Sequence, residues 1–190
     1  LPKVLSSSIA LTDGTRIYVL GSKKSTYNRA MDNHLFVYSS AVNSWVDISQ
    51  PLVQNVQLSD AVYLDDYNTI VLAGNAFVND TLEAITASYS LSTKKSRIEA
   101  ITPHNNYSQS VEKYGEEVFF FGGHIPLKNT YSYEASASNF YAMDPATLSF
   151  KDLEDMPITA ATESVIIKDK LFIVGGVTTS KLGIEKKWNK

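Results

Sequence analysis

No cysteine occurs in the 190 residues, which removes disulfide cross-links, thiolate catalysis and cysteine-bound zinc together. An excess of one charge is missing too. The 17 Lys and Arg stand against 20 Asp and Glu for a formal net charge of −3, so there is no basic footprint for nucleic acid and none of the self-repulsion of a disordered chain. Apolar runs are short. Each falls far below the roughly 20 residues that a membrane-crossing helix needs, and no basic-then-apolar start resembles a signal peptide. Membrane insertion by this segment is therefore not expected. The first residue is Leu1 and not Met, which reads as a processed or excised piece, and the compartment stays open between cytoplasmic and secreted or extracellular. What the chain does have is material for a core, with 44% hydrophobic and 11% aromatic residues.

That material is arranged periodically. "LFIVGGV" (171–177) is an apolar run that stops at two glycines, and "VFFFGGH" (118–124) repeats it. "TIVLAGN" (69–75) has Ala73 for the first glycine, and "RIYVLGS" (16–22) has Ser22 for the second. On this ruler Ser22, Gly74, Gly123 and Gly176 lie 52, 49 and 53 residues apart. A period near fifty indicates an array of supersecondary units that cannot bury their apolar faces alone. Each run is preceded by a shorter one across a polar turn, at Asp13-Gly14, Asp65–Asn68, Tyr114-Gly115 and Lys168–Lys170, which predicts four hairpins. The pre-glycine runs are apolar at nearly every position, so both faces of those strands should be covered, as in sheets stacked face to face. The glycines should terminate the strands, by positive φ or by letting another backbone come close.

A second feature keeps the same period. After a polar stretch of about 10–15 residues, expected as a loop, come Tyr38, Trp45 and Pro51; then Leu91, Ile98 and Pro103; then Met143, Phe150 and Pro157. The large apolar residues Trp45, Ile98 and Phe150 step by 53 and 52.

This order of hairpin, glycine pair, long loop, aromatic strand and closing proline resembles the kelch repeat, best seen in "MDPATLSF" (143–150) and in 161–177. It departs from the family pattern at Ala73 and Ser22, and at Ile98 and Phe150 where Trp is usual. The resemblance implies an all-β fold, a kelch-type β-propeller of four-stranded antiparallel blades. One domain would span 1–190, with repeats at 4–51, 58–103 and 108–157, a half repeat at 161–177 and a polar tail at 178–190 too hydrophilic for a further buried hairpin. That is about 3.5 blades, a partial propeller. Its end faces would bear Ile17, Val19 and Phe36 on one side and Phe172 and Val174 on the other. Further blades from the same chain or a second copy should cover them. Trp45 should lie buried between blades.

Catalytic signals are weak. His34, His104 and His124 have no ligand-type partner at metal spacing, so no metal is expected, and no cofactor. The carboxylates at Asp65-Asp66, Glu116-Glu117 and Asp152, Glu154, Asp155 fall in turns or beside an outer strand, where solvated charge protects an edge. No glycine pair opens a helix as a phosphate loop does. Among kelch-type enzymes, the Tyr–Cys cofactor of galactose oxidase needs a cysteine, and no motif carries over from the sialic acid mutarotase. The expectation is a non-catalytic scaffold that binds another protein. The alternative is a carbohydrate-active or sugar-isomerising propeller enzyme with its ligand at the axis. In a kelch-like blade the loops after the glycines and after the closing proline share one face, here 22–33, 75–84 and 124–138 with 51–59, 103–109 and 157–163. Tyr27, Asn28, Arg29, His124, Tyr131, Tyr133 and Glu134 are the candidate partner-binding residues, since Tyr and Arg anchor interfaces most often. Sequons at Asn79 and Asn106 mark two candidate N-glycosylation sites on that same face.

Overall fold

The structure, a computed structural model, describes residues 5–24, 31–48, 52–127, 133–157, 161–179 and 185–187. It is all-β. Among the described residues there is no helix, and so none long and apolar enough to cross a membrane. Three antiparallel four-stranded sheets follow one another. The first holds β1 (Ser6–Thr12), β2 (Ile17–Lys24), β3 (Met31–Ser39) and β4 (Ser44–Asp47). The second holds β5 (Gln57–Leu64), β6 (Thr69–Val78), β7 (Thr81–Ser90) and β8 (Lys95–Ile101). The third holds β9 (Ser110–Tyr114), β10 (Glu117–Phe121), β13 (Phe140–Asp144) and β14 (Ser149–Asp152). Between β10 and β13 the chain forms a separate ribbon of β11 (His124–Pro126) and β12 (Tyr133–Ser136). A fourth sheet has β15 (Ala161–Ile167), β16 (Lys170–Thr179) and β17 (Glu185–Lys187). The tail, expected to be too hydrophilic for a further buried hairpin, contributes the short strand β17, which pairs with Val177–Thr179 of β16: a ladder needs backbone groups, and polar side chains do not withhold them.

The turns explain the register. Lys168-Asp169 and Asn79-Asp80 are two-residue connections with positive φ at both residues (47° and 62°, 48° and 62°), the geometry that matches strand twist. Asp13-Gly14 differs from the tight turn expected. It opens a four-residue loop between Thr12 and Ile17 in which Gly14 has positive φ and Asp13 does not. The Asp13 carboxylate closes that loop, accepting from the N–H of Thr15 (2.9 Å) and Arg16 (2.7 Å) and from the Tyr18 hydroxyl (2.8 Å). Burial alone would raise its pKa, but these bonds outweigh burial and hold the carboxyl far below the usual range.

Consecutive sheets pack face to face. Tyr18, Leu20 and Leu35 of the first meet Ala61, Ile70, Leu72, Ala87 and Tyr89 of the second in one core cluster. On the second sheet's other face, Val62, Leu64, Val71 and Ala73 meet Val118, Phe120, Tyr141 and Met143 of the third. Strand β6 is thus sandwiched and is buried from Ile70 to Ala76, as its unbroken apolar run implies. The first strands β1, β5, β9 and β15 stand side by side along one edge of the stack. Asp60 of β5 crosses that edge to accept from Val111 N–H of β9 (2.9 Å), and Ser164 of β15 donates to Glu112 of β9 (2.9 Å).

The packing corrects the glycine ruler. Leu20 and Ala73 both point toward the following sheet, and they pair with Ile9 and Asp60; Phe121 and Val174 pair with Ser110 and Glu163 in the same way. The equivalent glycines are therefore Gly21, Gly74, Gly122 and Gly175, and a ruler one residue off assigns every side chain to the wrong face. Nor are the glycines terminators, except at Gly122. Strands β2, β6 and β16 run on past them, and what Gly74 supplies is closeness: a Cβ there would lie 2.6 Å from the Gln57 carbonyl oxygen. Trp45 is also not between sheets. It is half-buried against Tyr38 (centroids 5.2 Å apart), on the face of the first sheet that turns away from the second.

Candidate functional site

Beyond the glycines the inner strands continue as antiparallel ribbons at one end of the stack. Lys23 and Lys24 pair with Asp32 and Met31 on the first sheet. On the second, the ladder runs to Val78 opposite Thr81. The stretch 75–84, expected as a loop, is therefore a hairpin: Phe77 and Val78 continue the ladder, and a two-residue turn suffices to close it. On the third, β11 and β12 pair His124 with Ser136 and Ile125 with Ala135.

The connections after each sheet pass beneath the ribbons and are fastened by side-chain amides, buried at Asn33 and Asn106 and half-buried at Asn105. Asn33 donates through Nδ2 to the carbonyls of Val53 (2.7 Å) and Val56 (2.9 Å). Asn105 accepts from Ala84 N–H (2.8 Å) and donates to Leu82 O (2.7 Å). Asn106, 4% exposed, donates to Gly122 O (3.2 Å) and Asn139 Oδ1 (3.1 Å), while its own carbonyl receives Asn75 Nδ2 (3.2 Å). Apart from the bond to Asn139 Oδ1, each of these satisfies a backbone group that would otherwise be left unpaired. The ribbons are held at their bases, and their outer ends stay exposed: Phe77 (50%), Ile125 (39%) and Leu127 (43%).

The expected partner-binding residues fare unevenly. Tyr27, Asn28, Arg29 and Tyr131 lie outside the described residues. Tyr133 and Glu134 fall in β12, with Tyr133 paired to Pro126. His124 is half-buried in β11. Its backbone exchanges both hydrogen bonds with Tyr107 (2.7 and 2.8 Å), and burial lowers the pKa of its ring. Phe77, Ile125 and Leu127 were missed because they sit in stretches read as polar loops. Their signal was three apolar residues in segments where a solvated loop has no use for them.

The two sequons separate. Asn79 is exposed at the β6–β7 tip, whereas the Asn106 amide nitrogen that a glycan would occupy is buried and donates two bonds. A glycan at Asn106 and this packing exclude each other. Expression in a glycosylating host should give folded protein carrying at most one glycan, at Asn79, by intact-mass and peptide mass spectrometry; occupied Asn106 in folded protein would contradict the buried network.

Most other polar groups are committed to structure, though Gln109 Nε2 and Thr86 Oγ1 are buried without a hydrogen-bond partner. A cavity of about 710 Å³ lies along the line of first strands, and its lining includes Asp60, Gln109 and Glu112. Both Asp60 oxygens accept backbone N–H, from Ala61 and Val111, and burial raises the Glu112 carboxyl while Ser164 counteracts it. No His or Arg lines the cavity among the described residues. His104 ties its connection to Asp152 of β14 (2.8 Å), and His34, buried on Phe36, reaches Asp32 (3.0 Å). Lys113 binds Asp65 and Asp66 of the second sheet. No group of three metal-ligating side chains comes together among the described residues.

No family model and no curated protein matches the chain. Among solved structures, that of YjhT is similar, with a TM-score of 0.67 and 15% identity over 92% of this chain and 60% of that one. The chain thus spans 60% of the length of that structure, and at this identity the likeness speaks to fold alone.

Proposed function

We propose that the stacked sheets are blades of a kelch-type β-propeller, three with four strands and part of a fourth, and that the ribbon end is a non-catalytic surface for binding another protein. Face-to-face stacking with the first strands along one edge is what blades around an axis would give. The observation that carries the binding reading is the exposure of Phe77, Ile125 and Leu127 on ribbons whose bases are fixed by Asn side chains. An apolar contact held rigid loses little entropy on binding. The competing reading is a carbohydrate-active or sugar-isomerising enzyme, and the axial cavity with its two carboxylates is the feature that favours it.

One experiment separates the two. The double variant Phe77→Asp/Ile125→Asp should lose a protein partner by about tenfold or more, whereas Tyr67→Asp, in the turn at the opposite end of the sheet, should bind as the parent does. Partner binding that follows Tyr67 instead would refute the ribbon surface. Sugar turnover by the parent that Glu112→Gln abolishes would establish the enzyme reading.

A further inference from the structure

The seam between the second and third sheets is packed over β6 and hollow beside β7 and β8, where a cavity of about 610 Å³ lies. That volume falls inside the roughly 300–1,000 Å³ range of small-molecule sites. Side chains on β7 account for it. In the preceding seam, Leu35 and Val37 of β3 face the second sheet and pack into the core there. At the same register positions β7 turns Thr86 and Ser88 toward the third sheet, paired with Ala73 and Val71. Both line the cavity, because their smaller, hydroxyl-bearing side chains fill less of the seam. Thr86 is fully buried and its hydroxyl has no hydrogen-bond partner, a cost that leucine at this position would avoid.

The charged residues lining the cavity leave a positive balance. Glu99, the extra residue of a β-bulge between Ile98 and Ala100, is only 10% exposed at its side chain, and it accepts from Ser88 Oγ and from Arg97 Nε (2.8 Å). Its charge is thereby committed. Lys95 is exposed and has no ion pair among the described residues, and the Arg97 side chain is 75% exposed. Leu64, Met143 and Leu148 form an apolar wall. We propose that this cavity binds a small organic anion, with its apolar body against that wall and its carboxylate, sulfonate or phosphate beside Lys95. Burial of the body supplies the affinity, and the exposed cation, which contributes little by itself, sets the preference for an anion over a neutral molecule. A polar atom on the body gives the Thr86 hydroxyl the partner it lacks. The site stands on the seam between the second and third sheets, and depends neither on closure of a ring nor on the ribbon surface.

Fluorescence titration of purified 1–190 with 8-anilinonaphthalene-1-sulfonate, an aromatic body carrying one sulfonate, tests this at low ionic strength. One saturable site is expected. Lys95→Glu should weaken it about fivefold, and N-phenyl-1-naphthylamine, the same body without the sulfonate, should bind the parent more weakly by a similar factor. Thr86→Leu/Ser88→Val installs the side chains of the preceding seam and should abolish the site. Phe77→Asp/Ile125→Asp removes exposed apolar side chains from the ribbons and should leave the site as it is. If the filled variant does not fold by far-UV circular dichroism, Lys95→Glu, at an exposed position, and the neutral amine decide. Absence of a saturable site would overturn the proposal, as would equal binding of the sulfonate and the neutral amine. A site that the ribbon variant loses, or that a folded Thr86→Leu/Ser88→Val keeps, would place the dye elsewhere and overturn it too.

Discussion

Phe120→Ala is expected to lower the free energy of unfolding by about 3–5 kcal/mol, the range for truncating a large buried aromatic. Phe120 is fully buried between the second and third sheets, where its ring stacks on Tyr141 (centroids 5.1 Å, interplanar 4°) and takes the edge of Phe150 at 6.1 Å. Tyr141 is pinned in turn, donating its hydroxyl to Gln109 Oε1 (2.9 Å). With its polar end tied to the connection, Tyr141 cannot shift to fill the void, and a cavity that cannot collapse lies at the costly end of the range. Phe119, one residue earlier, points to the opposite face and is only half-buried, so Phe119→Ala should cost clearly less. Urea unfolding followed by circular dichroism measures both, as a drop in midpoint at unchanged slope. Equal losses for the two, or a loss below about 1 kcal/mol for Phe120→Ala, would mean that the seam between these sheets is not formed as described.

The contrast between Phe119 and Phe120 shows where sequence reading succeeded and where it stopped. The period near fifty, the four hairpins and the covered strand β6 were legible, because hydrophobic run length and turn chemistry are local. Which face each residue takes was not. That depends on register, and Ala73-Gly74 was aligned with Gly122-Gly123 when Gly74 corresponds to Gly122. The loop ending at Leu148 was equally opaque. Leu148 takes φ of 58°, which its sequence disfavours, because its side chain packs against the seam cluster and tertiary contact repays the strain.

The candidate site was less legible for a related reason. A stretch such as "NAFVND" (75–80) is short and mixed, and nothing local says that its strand continues; the two-residue turn at Asn79-Asp80 decides it, and both residues also suit a loop. The amide clamps were invisible because each joins residues far apart in sequence, as Asn33 does with Val53 and Val56. His124 illustrates the consequence. Its place after two glycines was read correctly, but the Tyr107 backbone that pairs with it comes from the preceding connection and fixes it at the base of the ribbon.

Gly123→Ala should be at least as damaging as Phe120→Ala, about 3–5 kcal/mol, summed from a strained backbone and buried groups left unpaired. The residue has φ of +88°, where an L side chain is strained. A Cβ there would also lie 2.2 Å from the Tyr107 carbonyl oxygen, a backbone atom that cannot rotate away. Relief requires the 103–109 connection to move off the sheet. That movement breaks the Tyr107–His124 pair and disturbs Asn106, whose Nδ2 bonds Gly122 O at 3.2 Å. Gly115→Ala isolates the backbone contribution. Gly115 also has positive φ (+60°), but a Cβ added there meets nothing within 4 Å, so only strain of about 1 kcal/mol should appear. Parallel unfolding curves for the two variants test the comparison, and amide exchange near Tyr107 and His124 should quicken in Gly123→Ala alone. Equal destabilisation by the two would show that the connection is not seated on Gly123, and the ribbon base would then lack the anchor on which a rigid binding surface depends.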